Sequence, residues 1–369
     1  MSPAGISMKN NVMLILLSLS LAVFGVITTE VAVIGLLPQL TEQLQITAPQ
    51  VGFLVSIYAV VVAITGPAIT HQYDVILFFR ILPALTHAVF FAIAPVVAAN
   101  VVPPARSAHA IAIVFSGVAV GMVLGMPLSA FIAEIFTLSA AFWFGALTSV
   151  VAFTGIALFV PSLPVTQVLK VREQLAILQR RDVWLSIVAV TLIFSAMFAG
   201  FSYIADYLVT ITGFSNNMTS ALLVVFGISG YFGNFIFSRY LQRNVIKTTS
   251  LYPLLFILIY LAVWLCGSSP WLMVPVVVLW GILHTSGLIV SQTWLLREAG
   301  NTPEFANSLY IGFSNLGITL GAMAGGRMIR SFGADTIIWA GIVFAVAAFI
   351  TVRLKVRQQA AAHTICRTG

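Results

Sequence analysis

Eleven apolar runs, each long enough to cross a bilayer, follow one another with only short polar breaks between them. Five lie at about 12–37, 51–70, 75–102, 107–133 and 138–160. Six more lie at about 183–211, 218–238, 249–267, 271–296, 305–329 and 336–354. A spanning helix needs about 20 mostly apolar residues, so each run qualifies. Only helices and closed barrels satisfy their backbone polar groups in lipid. Barrel strands alternate apolar and polar residues over about ten positions, which these runs do not, so an all-α membrane protein is expected. Charge agrees. Asp, Glu, Lys and Arg make up 7% of the 369 residues, against about 25% in a soluble domain. The first run is too long for a signal-peptide core and lacks a small-residue cleavage site, so it is expected to remain as the first span.

The longest polar interruption, 161–182, carries Lys170, Arg172, Glu173, Arg180, Arg181 and Asp182. It divides the chain into a first bundle, 1–160, a cytoplasmic linker, 161–182, and a second bundle, 183–369, with six helices and a short cytoplasmic tail. Val168, Val171, Leu175 and Leu178 recur at helical spacing in the linker, which predicts a short helix on the membrane surface. The parts are unequal: 160 residues precede the linker and 187 follow it. A weak internal repeat points the same way. Gly66-Pro67-Ala68-Ile69 matches Gly233-Asn234-Phe235-Ile236 at an offset of 167, while Gly121 and Gly125 match Gly317 and Gly321 at 196. The offset grows by 29 residues, about one span, so the first half is expected to lack one helix. The seam falls at Thr70-His71-Gln72-Tyr73-Asp74, where two apolar runs nearly touch.

Loop charge tests this independently. The linker, the loop 239–248 with Arg239, Arg243 and Lys247, and the tail are the basic segments and are expected in the cytoplasm. Two spans separate the linker from that loop and four separate the loop from the tail, so all three fall on one side. Five spans before the linker put the N-terminus outside, whereas a sixth would restore it to the inside. The balance of +7 suits loops beside anionic lipid better than nucleic acid, because the basic residues are scattered over loop ends. Cys266 and Cys366 lie far apart and suggest neither a disulfide framework nor a metal site.

The stretch from Thr28-Thr29-Glu30 through Gly35 to Pro38 resembles the first-span signature of the drug:proton antiporter branch of the major facilitator superfamily, and within it the sugar, arabinose-polymer and nucleoside efflux members. Phe79-Arg80 with His87 resembles the fourth span, where an arginine faces the cavity. Gly117, Gly121, Gly125 and Pro127 are similar to the antiporter motif of the fifth. Gly233-Asn234 with Arg239, Arg243 and Lys247 resembles the cytoplasmic gate loop after span eight, and Trp280-Gly281 with His284 fits span ten. The resemblance implies a two-bundle fold, here with about 11 helices arranged five plus six. It also implies proton-coupled efflux by alternating access. The chain departs from the pattern after Gly66, where the first basic gate loop and the third span are missing.

Candidate residues follow. Glu30 sits two-thirds along the first span. A carboxylate in lipid is costly unless paired, protonated or wet, so it is either a proton carrier or a solvated cap at the cavity mouth. Arg80 either faces the cavity or snorkels from near the seam. His87 is two turns further along the same face, where it either relays protons or bridges helices. Asp206, between Tyr203 and Tyr207, fits the outer interface somewhat better than the cavity. His284 is deep in its span. The ladders Gly117/Gly121/Gly125 and Gly317/Gly321/Gly325 make smooth strips for close helix packing, and they are also expected to form the contact on which the two halves rock.

No P-loop, Gly-x-Ser-x-Gly or cysteine–histidine cluster occurs, so neither an enzyme nor a cofactor is expected. The expectation is a monomeric transporter in the bacterial inner membrane whose partners are lipid, protons and a small organic molecule such as a drug, sugar or nucleoside. The alternative is a membrane-inserted deletion variant without transport.

Overall fold

The computed structural model describes residues 4–35, separate positions between 94 and 120, and residues 121–159, 176–298 and 303–368. The expected spans at 51–70 and, up to residue 93, at 75–102 lie outside the described residues. So do the seam, Arg80, His87 and most of the linker. Every regular element described is helical. Helix α1 spans Ala4–Gly35; a π-helical turn, Gly121–Gly125, leads into α2, Met126–Ile135, and α3 spans Leu138–Phe159. After a 3-10 turn at Ala176–Gln179 come α4, Arg181–Phe201, α5, Ile204–Thr210, and α6, Asn216–Arg243. Then follow α7, Val245–Cys266, α8, Pro270–Leu296, α9, Pro303–Phe332, and α10, Ile337–Thr368. Six spans in this set are long and apolar enough to cross a membrane.

Local chemistry sets the ends. Pro270 opens α8, where its missing N–H costs nothing. The Ser215 hydroxyl accepts the Met218 amide at 3.3 Å and caps α6. Asn244 alone separates α6 from α7, its side chain accepting the Lys247 amide at 2.9 Å. The expected loop at 239–248 is therefore two helix ends, with Arg239 and Arg243 on α6 and Lys247 in the first turn of α7. Long basic side chains reach water from a helix end without breaking it. The tail also differs from expectation. Rather than ending at 354, α10 continues to Thr368, through a stretch rich in Gln and Ala that favours helix.

The first span of the second bundle is interrupted where one continuous helix was expected. At Ser202 and Tyr203 the ladder tightens: the Tyr203 amide donates to the Gly200 carbonyl at 3.1 Å before α5 begins. The Ser202 hydroxyl is buried without a partner.

In the second bundle α4 is central, packed by α9 and α10, while α6 pairs with α8. In the first, α1 packs against α3, α2 and the π turn. The halves meet where α6 crosses α2 and the π turn. On the outside, Trp143 and Phe153 of α3 are 74% and 72% exposed, as suits side chains facing lipid.

The Cβ side of each glycine ladder faces a helix of its own bundle, while the π turn that carries Gly121 and Gly125 also meets α6 of the other half. A Cβ on Gly117 would strike the Ser20 carbonyl and approach the Phe24 amide nitrogen of α1. A Cβ on Gly321 would strike the Ser195 carbonyl and approach the Ala199 nitrogen of α4. The glycine faces themselves are thus taken up within each bundle. Only glycine lets two backbones come so close, and once in contact the strip is used up. These contacts also pair the repeats. Ser195 lies 175 positions after Ser20, and Gly321 lies 204 after Gly117, so the offset grows by 29 residues between the two helices. The matching glycines are Gly117 with Gly321, two turns from the pairing that the sequence suggests.

Candidate functional site

Helices α6 and α8 approach closely because small residues face each other. A Cβ on Gly233 would meet the Ile282 backbone, one on Gly281 the Phe226 carbonyl, and one on Gly230 the Thr285 side chain. Toward the linker end the two helices part around a cavity of about 750 Å³. Tyr231, Asn234, Ser238 and Gln242 line it from α6, and Gln292 and Thr293 from α8, with Phe235 and Ile289 between them. None of the lining residues described is charged. Gln292 donates its amide N–H to the Asn307 carbonyl oxygen of α9 at 3.0 Å. That leaves its own carbonyl oxygen as an acceptor. The Asn234 carbonyl oxygen is buried and has no donor. The amides and hydroxyls along the cavity wall can both donate and accept hydrogen bonds.

His284 stands two turns before Gln292 on α8, about 12 Å along the axis. It is fully buried, and neither ring nitrogen has a hydrogen-bond partner. Its ring lies 4.0 Å from that of Phe201, 5.3 Å from Phe198 and 5.5 Å from Phe226. Trp280 packs on Phe226 at 5.9 Å, its own N–H also unpaired. The sequence marks His284 as polar and deep but does not show this aromatic enclosure, which comes from three different helices.

The other expected residues are placed as follows. Glu30 is in α1, of which only the backbone is described there. Asp206 lies on α5, at the end of its span away from the linker, partly buried, and does not line the cavity. Arg239, Arg243 and Lys247 are exposed at the linker end, while Gly233 serves the α6–α8 contact and Asn234 the cavity. Pro127 sits in the first turn of α2, where proline is tolerated. Gly125 and Gly121 press on Thr28 and Ile27 of α1, and Gly317 and Gly325 on Thr191 and Ala199 of α4. Sequence reading missed Gln292 with Asn307, and the buried Glu298 and Lys355. Among the described residues no His/Cys/Asp/Glu group could hold a metal.

Helices alternate in direction, so Arg181, Arg243, Arg297 and Arg357 gather at the linker end, with Arg327 and Arg330 at the other. An excess of this kind is what the cytoplasmic ends of membrane proteins carry. Packed apolar helices, with an open, mostly apolar cavity carrying a few uncharged polar groups in the second bundle, are the architecture of a membrane transporter. The model of the Major Facilitator Superfamily matches residues 66–303, and the chain belongs to that superfamily. It is a multi-pass membrane transporter and not an enzyme. The inner membrane transport protein YdhP of Escherichia coli strain K12 is 28% identical, the match covering 95% of this chain and 97% of that protein. A probable sugar efflux transporter of Pasteurella multocida strain Pm70 is 27% identical over 89% of each chain. Among solved structures, a bacterial homologue of the human lysosomal transporter Spinster, inward-facing and unoccupied, has the same fold. Its TM-score is 0.68 and its identity 16%, covering 95% of this chain and 98% of that one.

Proposed function

We propose that the chain exports a neutral, hydroxyl-rich small molecule in exchange for protons, by alternating access between its two bundles. The observation that carries this reading is the cavity between α6 and α8, whose polar lining is made of amides and hydroxyls with no charged group among the described residues. A cationic drug would call for a carboxylate there, and a carboxylate substrate for an arginine. A sugar or nucleoside, whose hydroxyls both donate and accept, matches uncharged groups such as those of Ser238, Gln242 and Gln292. The cavity lies in the cytoplasmic half, from which an exported molecule is collected. The names of the sugar efflux relatives agree.

In this reading Glu30 carries the proton, and Arg80 and His87 add polar contacts from the first bundle. The first bundle has five helices. The offset of 29 residues between the glycine contacts supports this. The alignment with the Escherichia coli relative runs over 381 positions, more than the 369 residues of this chain, so it opens gaps in it.

The test uses inverted membrane vesicles and an imposed proton gradient. Radiolabelled arabinose, uridine and the cationic dye ethidium are offered in turn. Gradient-driven uptake of arabinose or uridine, lost in Glu30→Gln, is the expected result. Uptake of ethidium alone overturns the neutral-substrate reading. Uptake of none of the three favours the deletion variant without transport.

A further inference from the structure

At the linker end of the second bundle, three segments meet on one carboxylate. Glu298 follows α8 and is 6% exposed. One of its oxygens accepts the Lys355 ammonium of α10 at 2.8 Å, and the other accepts Arg180 Nη2, from the end of the linker, at 2.7 Å. Arg180 Nη1 also donates to the Glu298 main-chain carbonyl at 3.0 Å. Lys355, 1% exposed, further donates to the Ser186 hydroxyl of α4 and sits 4.3 Å from the centre of the Trp294 ring. Two hydrogen bonds and an aromatic face leave no N–H of the ammonium idle. Asp182 and Arg297 lie within its electrostatic reach.

The two arms differ in kind. Lys355 cannot leave without stranding a charge in apolar surroundings. Arg180 has a side chain 49% exposed and can let go into water. It grips both the side chain and the main chain of Glu298. A lysine, being a point charge, could not reproduce that two-point hold. The segment it closes is folded on itself. The Arg180 amide donates to Ile177 at 3.1 Å, Val183 donates to Arg180 at 3.2 Å, and the Trp184 indole donates to Leu178 at 2.7 Å.

We propose that Arg180 is a positioning residue for transport. Its grip on Glu298 makes the last residues of the linker part of the second bundle, so that they move with α4, α8 and α10 as one body. The transport half of this proposal rests on the function proposed above; the anchoring half does not.

Hydrogen exchange of the full chain in lipid nanodiscs tests the anchor. In Arg180→Lys and in Arg180→Gln, exchange at 177–183 rises about tenfold or more while the middle of α4 is unchanged. Unchanged exchange at 177–183 in Arg180→Lys overturns it. Glu298→Gln strands Lys355, so the fold-safe variant is Glu298→Leu with Lys355→Met, which removes both buried charges. That double variant melts as the original does but exchanges fast at 177–183; original protection there also overturns the anchor. For transport, gradient-driven arabinose uptake in Arg180→Lys falls about threefold or more at unchanged half-saturation. An unchanged rate overturns the positioning role. Absence of uptake of every probe by the unsubstituted chain overturns the function proposed above and with it the positioning role, while the anchor is decided by exchange at 177–183.

Discussion

The rings of Phe201 and His284 stack with their centres 4.0 Å apart and their planes 32° from parallel. The contact joins the interrupted first span of the second bundle to α8. It holds a polar ring in a place with no hydrogen-bond partner. An unpaired buried polar group costs about 1–3 kcal/mol. His284→Leu is therefore expected to raise the melting temperature of the detergent-solubilised chain and, at the same time, to slow arabinose uptake. A group kept at a cost to stability is expected at a working position. A lower melting temperature would show that the imidazole is a sound part of the core.

The glycine ladders give a paired test. Gly321→Ala presses a methyl group onto the Ser195 carbonyl, whereas Gly312→Ala, on the same helix, meets nothing within 4 Å. Overpacking of this kind costs about 1–3 kcal/mol. Fluorescence-detected size-exclusion after graded heating is expected to show early loss of Gly321→Ala and no loss of Gly312→Ala.

Removing one member of the buried pair differs from removing both. Lys355→Met leaves Glu298 short of its buried partner and is expected to cost about 3–5 kcal/mol, while Lys355→Met with Glu298→Leu is expected to be near neutral. Thermal unfolding of the two variants side by side checks the difference. Equal losses would mean that the pair contributes packing alone.

Selectivity follows from the cavity lining. Asn234→Ala removes one acceptor, worth about 1 kcal/mol, and is expected to raise the half-saturation for arabinose about fivefold. Gln292→Glu places a carboxylate beside Asn307 and is expected to admit ethidium while arabinose uptake falls. Vesicle uptake with both probes decides it. An unaltered profile in both variants places substrate elsewhere.

Much of this architecture could be read from sequence because lipid imposes it. A run of about 20 apolar residues has few alternatives, and Gly317/Gly321/Gly325 can only serve close packing. What those glycines pack against was not legible. The identical spacing fits a contact between halves as well as one within each, and only the placement of Ser20 and Ser195 decides it. Arg239, Arg243 and Lys247 looked like a loop because charge ends an apolar run, yet helices here project beyond the lipid before they turn at Asn244. Nothing in the sequence singles out Glu298, since its partners Arg180 and Lys355 are 118 and 57 residues away. The interruption at Ser202 and Tyr203 carries no proline to announce it. Its cause is tertiary: Gly200 lies against Tyr260, and the Tyr203 hydroxyl reaches the Ala322 carbonyl of α9 at 2.9 Å.

Because each ladder is spent within its own half, neither half reserves its tightest backbone contact for the other. The most exacting fit in the molecule, where a single methyl group is too many, is thus inherited whole with either half. Chimeras of related transporters joined within the linker therefore keep both described glycine seams intact.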